Sequence, residues 1–172
     1  NFLKKKLNWS INTVNTGLKT QTGARIKKIR KFLDKQDLFF MTYGDGISNV
    51  DIYKLLKFHK RHNKIATLTA VRPLPRFGNI KLNKNKVSSF SEKDRLQEGW
   101  INGGFFVLNR KVFDYIDNRE NCIFEREPLQ NLSKDGQLMA YKHEGFWHPM
   151  DTLRDKNYLN EIYKKKKLDW LK

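Results

Sequence analysis

One cysteine, four prolines and ten glycines in 172 residues leave this chain few covalent or conformational restraints. With Cys122 alone no internal disulfide forms, which fits a reducing cytoplasm. No apolar run is long enough to span a membrane. In the start, Asn1-Phe2-Leu3 followed by three lysines, no secretory signal is visible, and residue 1 is not methionine. Repeats and low-complexity linkers are absent, so residues 1–172 read as a single domain. Acidic residues are scarce, 18 against 35 basic, for a net charge of +17. Such an excess suggests an anionic partner. Yet lysine outnumbers arginine 25 to 10 and asparagine reaches 16, usage that drift of the coding DNA also produces. The chain has no helix-turn-helix, no zinc pattern and no interleaving of aromatic with basic residues, which argues against a nucleic-acid partner.

Apolar residues make up 38% of the chain and aromatics 13%, enough for a real core despite the polar balance. Residues 10–16 (SINTVNT) alternate and predict a short strand. Residues 17–23 form a Thr/Gly-rich turn, and 25–34 (RIKKIRKFLD) an amphipathic helix with Ile26, Ile29 and Leu33 inward. Residues 38–43 are a continuous apolar run, the type buried on both sides of a parallel sheet. Asp51 is placed to cap a helix over 52–62, with Ile52, Leu55 and Leu56 inward. The stretch HKRH, residues 59–62, reads as its solvated face, although His59 and His62 stand three apart. A strand over 64–71 follows, then a hairpin, 78–83 and 86–92, turning at Lys84-Asn85. Residues 101–109 are a strand, and Gly103-Gly104 within it predicts a bulge or close ligand approach. A helix over 124–134, a strand over 137–142 and a helix over 152–167 complete an α/β order. Cys122 reads as a small buried hydrophobe, and Ser48 lies in no nucleophile-elbow pattern.

Two aspartates stand out by setting. Asp45 follows the apolar strand, between Gly44 and Gly46, and Asp151 follows GFWHPM and precedes a helix. Ligands of open α/β sheets sit beyond the carboxyl ends of strands. Two carboxylates there can hold one Mg2+ whose octahedron phosphate oxygens complete. Simpler roles stay open: Asp-Gly is a common turn dipeptide, and Asp151 or Thr152 suits a helix N-cap.

The segments TYGDG, SFSEK, WINGGFFVLN, EREPL, DGQLMAY and GFWHPMDTLRDKNYL occur in that order. Together they resemble the glucose-1-phosphate cytidylyltransferases of the sugar-phosphate nucleotidyltransferase superfamily, over nearly the whole chain. The resemblance implies an α/β, Rossmann-like nucleotide-diphospho-sugar transferase sheet with helices on both faces. It implies an enzyme joining CTP to glucose 1-phosphate to give CDP-glucose and pyrophosphate, in nucleotide-sugar biosynthesis of the O-antigen and lipopolysaccharide type. It implies Mg2+ at Asp45 and Asp151, and nucleotide contacts from Gly44, Thr20 and Arg25. The sugar-phosphate side falls to Glu92, Lys93, Asn102 and Gly103, with Lys93 and Arg25 offsetting phosphate charge. Asn102 offers both amide ends to hydroxyls, and Gly103 leaves room for a sugar ring near the backbone. Family members also tend to assemble into homo-oligomers.

The chain departs from the family pattern at its start, where the glycine-rich loop that cradles the triphosphate through backbone N–H groups is not found. The expectation is that the N-terminal βα units are missing. Such a chain would expose sheet edges, bind CTP weakly and be inactive alone. An inactive or regulatory sugar-nucleotide-binding remnant is the alternative reading. Ala24, Asp94, Asn15 and His148 are smaller departures that leave both magnesium aspartates in place.

Overall fold

The computed structural model describes residues 10–33, 36–73, 78–91 and 99–165. In chain order, helix α1 (Thr22–Lys28) and a 3-10 turn (Arg30–Phe32) precede β1 (Leu38–Thr42) and the short β2 (Gly46–Ser48). Helix α2 (Ile52–His62) leads into β3 (Ala66–Val71), then the hairpin of β4 (Asn79–Asn83) and β5 (Lys86–Ser91). The long β6 (Ile101–Asn109) runs into a second 3-10 turn (Arg110–Asp114). Helix α3 (Glu127–Lys134), β7 (Leu138–His143), β8 (Trp147–Pro149) and α4 (Leu153–Lys164) follow.

Four strands form the main sheet in the order β1-β6-β3-β7. β6 is antiparallel to both β1 and β3, and β3 is parallel to β7. Strands β1, β3 and β7 therefore end, and β6 begins, at one edge of the sheet. Strand alternation then sends side chains to two faces. On one, Phe39, Phe106, Leu108 and Ala66 pack with Ala24 and Ile26 of α1 and Leu129 and Leu132 of α3. On the other, Val107 and Thr67 lie under α2, which contributes Leu55 and His59. Each large apolar side chain so buried contributes about 1.5–3 kcal/mol. Helices cover both faces, as the α/β reading requires.

Several expectations change. Residues 10–16 form no strand, because their alternation meets no partner strand among the described residues, and Ile11 is exposed. Thr22 and Gly23 belong to α1 and not to the preceding turn. The apolar run at 38–43 is not a strand buried within a parallel sheet. It is an antiparallel edge whose Phe40 is 45% exposed, since apolar continuity does not fix the neighbour's direction. Ile52 is exposed at the first turn of α2, whereas Leu55 is fully buried. Other readings hold: Asp51 Oδ1 accepts from the Lys54 N–H at 2.9 Å as the N-cap. The hairpin turns at Lys84 (φ 52°), and β6 is irregular in register opposite Leu68–Ala70 with Gly104 at φ +78°. Cys122 is buried. Among the described residues no helix is long and apolar enough to cross a membrane.

The HKRH stretch is also not simply a solvated face. His59 is buried, four residues after Leu55 and so on its helical face. Its Nδ1 lies 2.8 Å from Thr67 Oγ1, and His62 Nε2 lies 2.7 Å from the same oxygen. The Lys64 N–H donates to His62 Nδ1 at 3.0 Å, so His62 carries its proton on Nε2 and donates it to the hydroxyl. The hydroxyl then donates to His59 Nδ1. Burial, reinforced by His62, pushes the His59 imidazole down to about 4.

The unfolded chain accepts that proton first, because free histidine titrates near 6.5. The contribution of neutral His59 is complete above pH ~6.5 and is lost as pH falls toward 4, by up to ~1.4 kcal/mol per pH unit. An NMR titration should find His59 unprotonated at pH 5.5 while urea midpoints already decline. Titration of His59 near 6.5 with flat stability would contradict this account. A second prediction concerns α1. A Cβ on Gly23 would meet Cys122 Sγ at 2.8 Å and the Cys122 carbonyl oxygen at 3.0 Å. Alanine gains roughly 0.5–1 kcal/mol of helix propensity, but the overpacking costs about 1–3 kcal/mol. Gly23→Ala should therefore lower the melting temperature, and a rise would show that α1 shifts freely.

Candidate active site

The site is organised by a short ribbon lying beyond the end of β1. β2 and β8 pair antiparallel, Gly46 opposite Pro149 and Ser48 opposite Trp147. The pairing continues one step further, where the Met150 N–H donates to the Asp45 carbonyl at 2.8 Å. Asp45 and Asp151 thus leave the same end of one ribbon, one residue out of step. Both are exposed, and a Cβ added to Gly44 would meet nothing within 4 Å.

Trp147 locks the ribbon to the sheet. Its indole Nε1–H, buried, donates to the Gly103 carbonyl at 2.8 Å. Gly103 is itself buried, and a Cβ there would meet Val71 Cγ1 at 2.8 Å and the Thr69 carbonyl at 3.0 Å. The room that Gly103 creates is therefore filled by β3 and not left for a sugar ring. Its neighbour Gly104 lies against the Tyr43 ring, 2.7 Å from where its Cβ would stand. Asn102 Oδ1 accepts from the Gly104 N–H at 2.9 Å, which fixes the bulge and leaves the side-chain amide nitrogen beside the Tyr43 phenol.

The Tyr43 hydroxyl donates to Glu125 Oε1, and Thr22 Oγ1 donates to Glu125 Oε2 at 2.7 Å. Burial first, then the Glu125 carboxylate, pushes the Tyr43 phenol far above its usual range. It stays a proton donor at any physiological pH. Glu125 thus ties the residue just before Gly44-Asp45 to the start of α1. Tyr43, Glu125, Thr22 and Trp147 received no roles from the sequence, although the TYGDG and EREPL segments contain two of them. Their function is visible only once burial and pairing are known.

On the other side, α4 is capped by Thr152 and Asp155 and not by Asp151. The Thr152 N–H donates to Asp155 Oδ2 at 2.9 Å, and the Asp155 N–H returns to Thr152 Oγ1 at 3.2 Å. The Thr152 hydroxyl, then its N–H and the nearby His148, hold the Asp155 carboxyl below its usual range. His148 Nε2 lies 3.2 Å from Asp155 Oδ1, so the residues flanking Asp151 on both sides are fixed.

The remaining sequence candidates are elsewhere. Thr20 is buried, and its hydroxyl donates to the Thr16 carbonyl at 2.6 Å while accepting from Lys28 Nζ at 3.0 Å. It supports the 16–20 turn and presents no hydroxyl to a nucleotide. Arg25 is exposed and folds onto the same turn, donating to Thr16 Oγ1 and the Leu18 carbonyl. Glu92 and Lys93 lie outside the described residues. The structure therefore gathers Gly44, Asp45, Asp151, Asn102 and Gly103, while Thr20 and the Arg25 side chain of α1 bond to the 16–20 turn.

Among the described residues no group of three or more His, Cys, Asp and Glu gathers as a metal site. Two exposed carboxylates at one ribbon end still fit a hard divalent cation that takes its other oxygens from ligand and water.

The sequence pattern of the family described as nucleotidyl transferase matches residues 3–163. The glucose-1-phosphate cytidylyltransferase of Salmonella typhimurium is 46% identical over 162 residues, which cover 94% of this chain and 63% of that protein. A probable glucose-1-phosphate cytidylyltransferase of Bacillus subtilis is 38% identical over the same shares. This chain thus spans 63% of the length of these curated relatives. The crystal structure of HddC from Yersinia pseudotuberculosis superposes with a TM-score of 0.68 at 20% identity, over 94% of this chain and 71% of that one. That likeness shows a shared α/β fold. With the family pattern matching residues 3–163 of its 172, the chain belongs to the nucleotidyl transferase family.

Proposed function

We propose that this chain carries the metal and sugar-phosphate side of a glucose-1-phosphate cytidylyltransferase. The observation that carries the reading is the Met150–Asp45 backbone hydrogen bond, which brings Asp45 and Asp151 to one ribbon end. In the reaction, a phosphate oxygen of glucose 1-phosphate attacks the α-phosphorus of CTP. The bond from that phosphorus to the β-phosphate bridging oxygen breaks, and pyrophosphate leaves with that electron pair. No protein nucleophile and no net proton transfer are needed.

Asp45 and Asp151 would hold Mg2+, which when bound supplies charge neutralisation for the phosphates. Gly44, with nothing over its Cα, lets a nucleotide approach the backbone. Asn102, fixed by the Gly104 N–H and the Tyr43 phenol, would meet a sugar hydroxyl only through the second N–H of its amide or the second lone pair of its oxygen. The roles of Glu92 and Lys93 rest on the resemblance of the SFSEK segment. The same reading makes the complete enzyme a cytoplasmic homo-oligomer acting on CTP and glucose 1-phosphate.

The test is binding of CDP-glucose by calorimetry with and without Mg2+. Binding should require Mg2+ and weaken at least about tenfold in Asp45→Asn and in Asp151→Asn, with the melting temperature of Asp45→Asn unchanged because that side chain is exposed. Metal-independent binding, or affinity undiminished in both variants, would overturn the reading. Pyrophosphate release from CTP and glucose 1-phosphate then separates an enzyme from a binding remnant.

A further inference from the structure

The half-buried phenol of Tyr43 stands between the two sides of the site. Along the chain it immediately precedes Gly44-Asp45, on the metal side. Through space it meets the side-chain amide of Asn102, on the sugar side. Packing fixes the ring and leaves the hydroxyl to polar partners. The ring lies against Gly104 and edge-on to Phe106, with 5.9 Å between centroids, and the Tyr43 N–H donates to the Gly104 carbonyl at 3.3 Å.

Donor and acceptor rules set the direction of the bonds around that hydroxyl. A carboxylate only accepts, so Tyr43 gives its proton to Glu125 Oε1. The phenolic oxygen is then an acceptor, and the NH2 end of Asn102 is the end that satisfies it. The Gly104 N–H, 2.9 Å from Asn102 Oδ1, requires the same orientation. Glu125 is held from the other side. Its Oε2 accepts from the Thr22 hydroxyl at 2.7 Å, and Thr22 Oγ1 accepts from the Phe124 N–H at 2.9 Å. The donors from α1 and from the end of β1 thus converge on one carboxylate. A binding site works only when its groups are held within about 0.5 Å of their productive places. Asp45 is exposed, so packing of its own side chain does not supply that precision.

We propose that Glu125 is a positioning residue of this site: it holds Tyr43, and through Tyr43 it sets Asp45 for the metal and Asn102 for the sugar. The inference rests on the metal and sugar-phosphate reading given above. It keeps glucose 1-phosphate as the ligand and extends the site to a residue that touches neither metal nor sugar.

The experiment measures two affinities at a temperature where every variant is folded. One is for Mn2+ alone, from water-proton relaxation; the other is for glucose 1-phosphate with Mg2+, from calorimetry. Glu125→Ala removes the acceptor of two hydroxyls and should weaken both by about tenfold or more. Tyr43→Phe keeps the ring, loses the hydroxyl and should reproduce that loss; it carries the same test if Glu125→Ala does not fold. Glu125→Gln retains an acceptor for Tyr43 and should stay within about threefold of the wild type. Leu55→Val, in the core on the other face of the sheet, should lower the melting temperature and leave both affinities unchanged. Wild-type affinities in Glu125→Ala and Tyr43→Phe overturn the positioning role. So does a loss in Glu125→Gln as deep as in Glu125→Ala, or an equal loss in Leu55→Val at the same drop in melting temperature. A wild-type protein that binds neither Mn2+ nor glucose 1-phosphate contradicts the reading of the site itself and removes the role of Glu125 with it.

Discussion

Everything proposed for the site hangs on the short antiparallel ribbon that joins the end of β1 to the start of α4. A single backbone hydrogen bond, Met150 N–H to Asp45 C=O at 2.8 Å, brings to one ribbon end the backbones of two aspartates 106 positions apart in sequence, 45 and 151. Backbone pairing alone would leave a ribbon of three residues per strand marginal in water. Here the buried Trp147 indole anchors it to β6 through the Gly103 carbonyl, and the Thr152–Asp155 capping box fixes the chain that leaves it. The aspartates can stay exposed because their backbone is held by other residues.

That division of labour explains the half-buried polar groups. Glu125 accepts from both Tyr43 and Thr22, so it ties the strand end that presents Asp45 to the start of α1. A carboxylate half-buried beside a phenol is costly unless its oxygens are satisfied. Each Glu125 oxygen has a donor, and the phenol remains protonated. Gly103 and Gly104 contribute in a different manner: one lets β3 approach β6, the other lets the Tyr43 ring lie on the bulge. Neither glycine opens space for a ligand.

Much of this was legible in the sequence where local physics decides. Asp51 before an amphipathic run, Lys84-Asn85 between alternating segments and Gly103-Gly104 inside an apolar strand each produced the expected cap, turn and bulge. The two aspartates are singled out by their position after strand-like segments, and their place at one ribbon end agrees with that position. What failed were the inferences that need a partner. Alternation at residues 10–16 means a strand only if another edge is available, and the apolar run at 38–43 does not encode an antiparallel neighbour. Thr20 read as a ligand contact because the turn that consumes its hydroxyl is invisible in sequence. His59 was different: its spacing from Leu55 carried the signal, but the basic residues around it suggested solvent.

The central claim is that one cation meets both ribbon strands. The measurement that tests it most directly is a paramagnetic map: Mn2+ added substoichiometrically to the 15N-labelled protein, with amide broadening read residue by residue. The account predicts that the amides of residues 44–46 and 151–152 broaden together at the same low Mn2+ concentration. Broadening confined to one strand of the ribbon, or centred on other acidic residues such as Asp114 and Asp117, would contradict it.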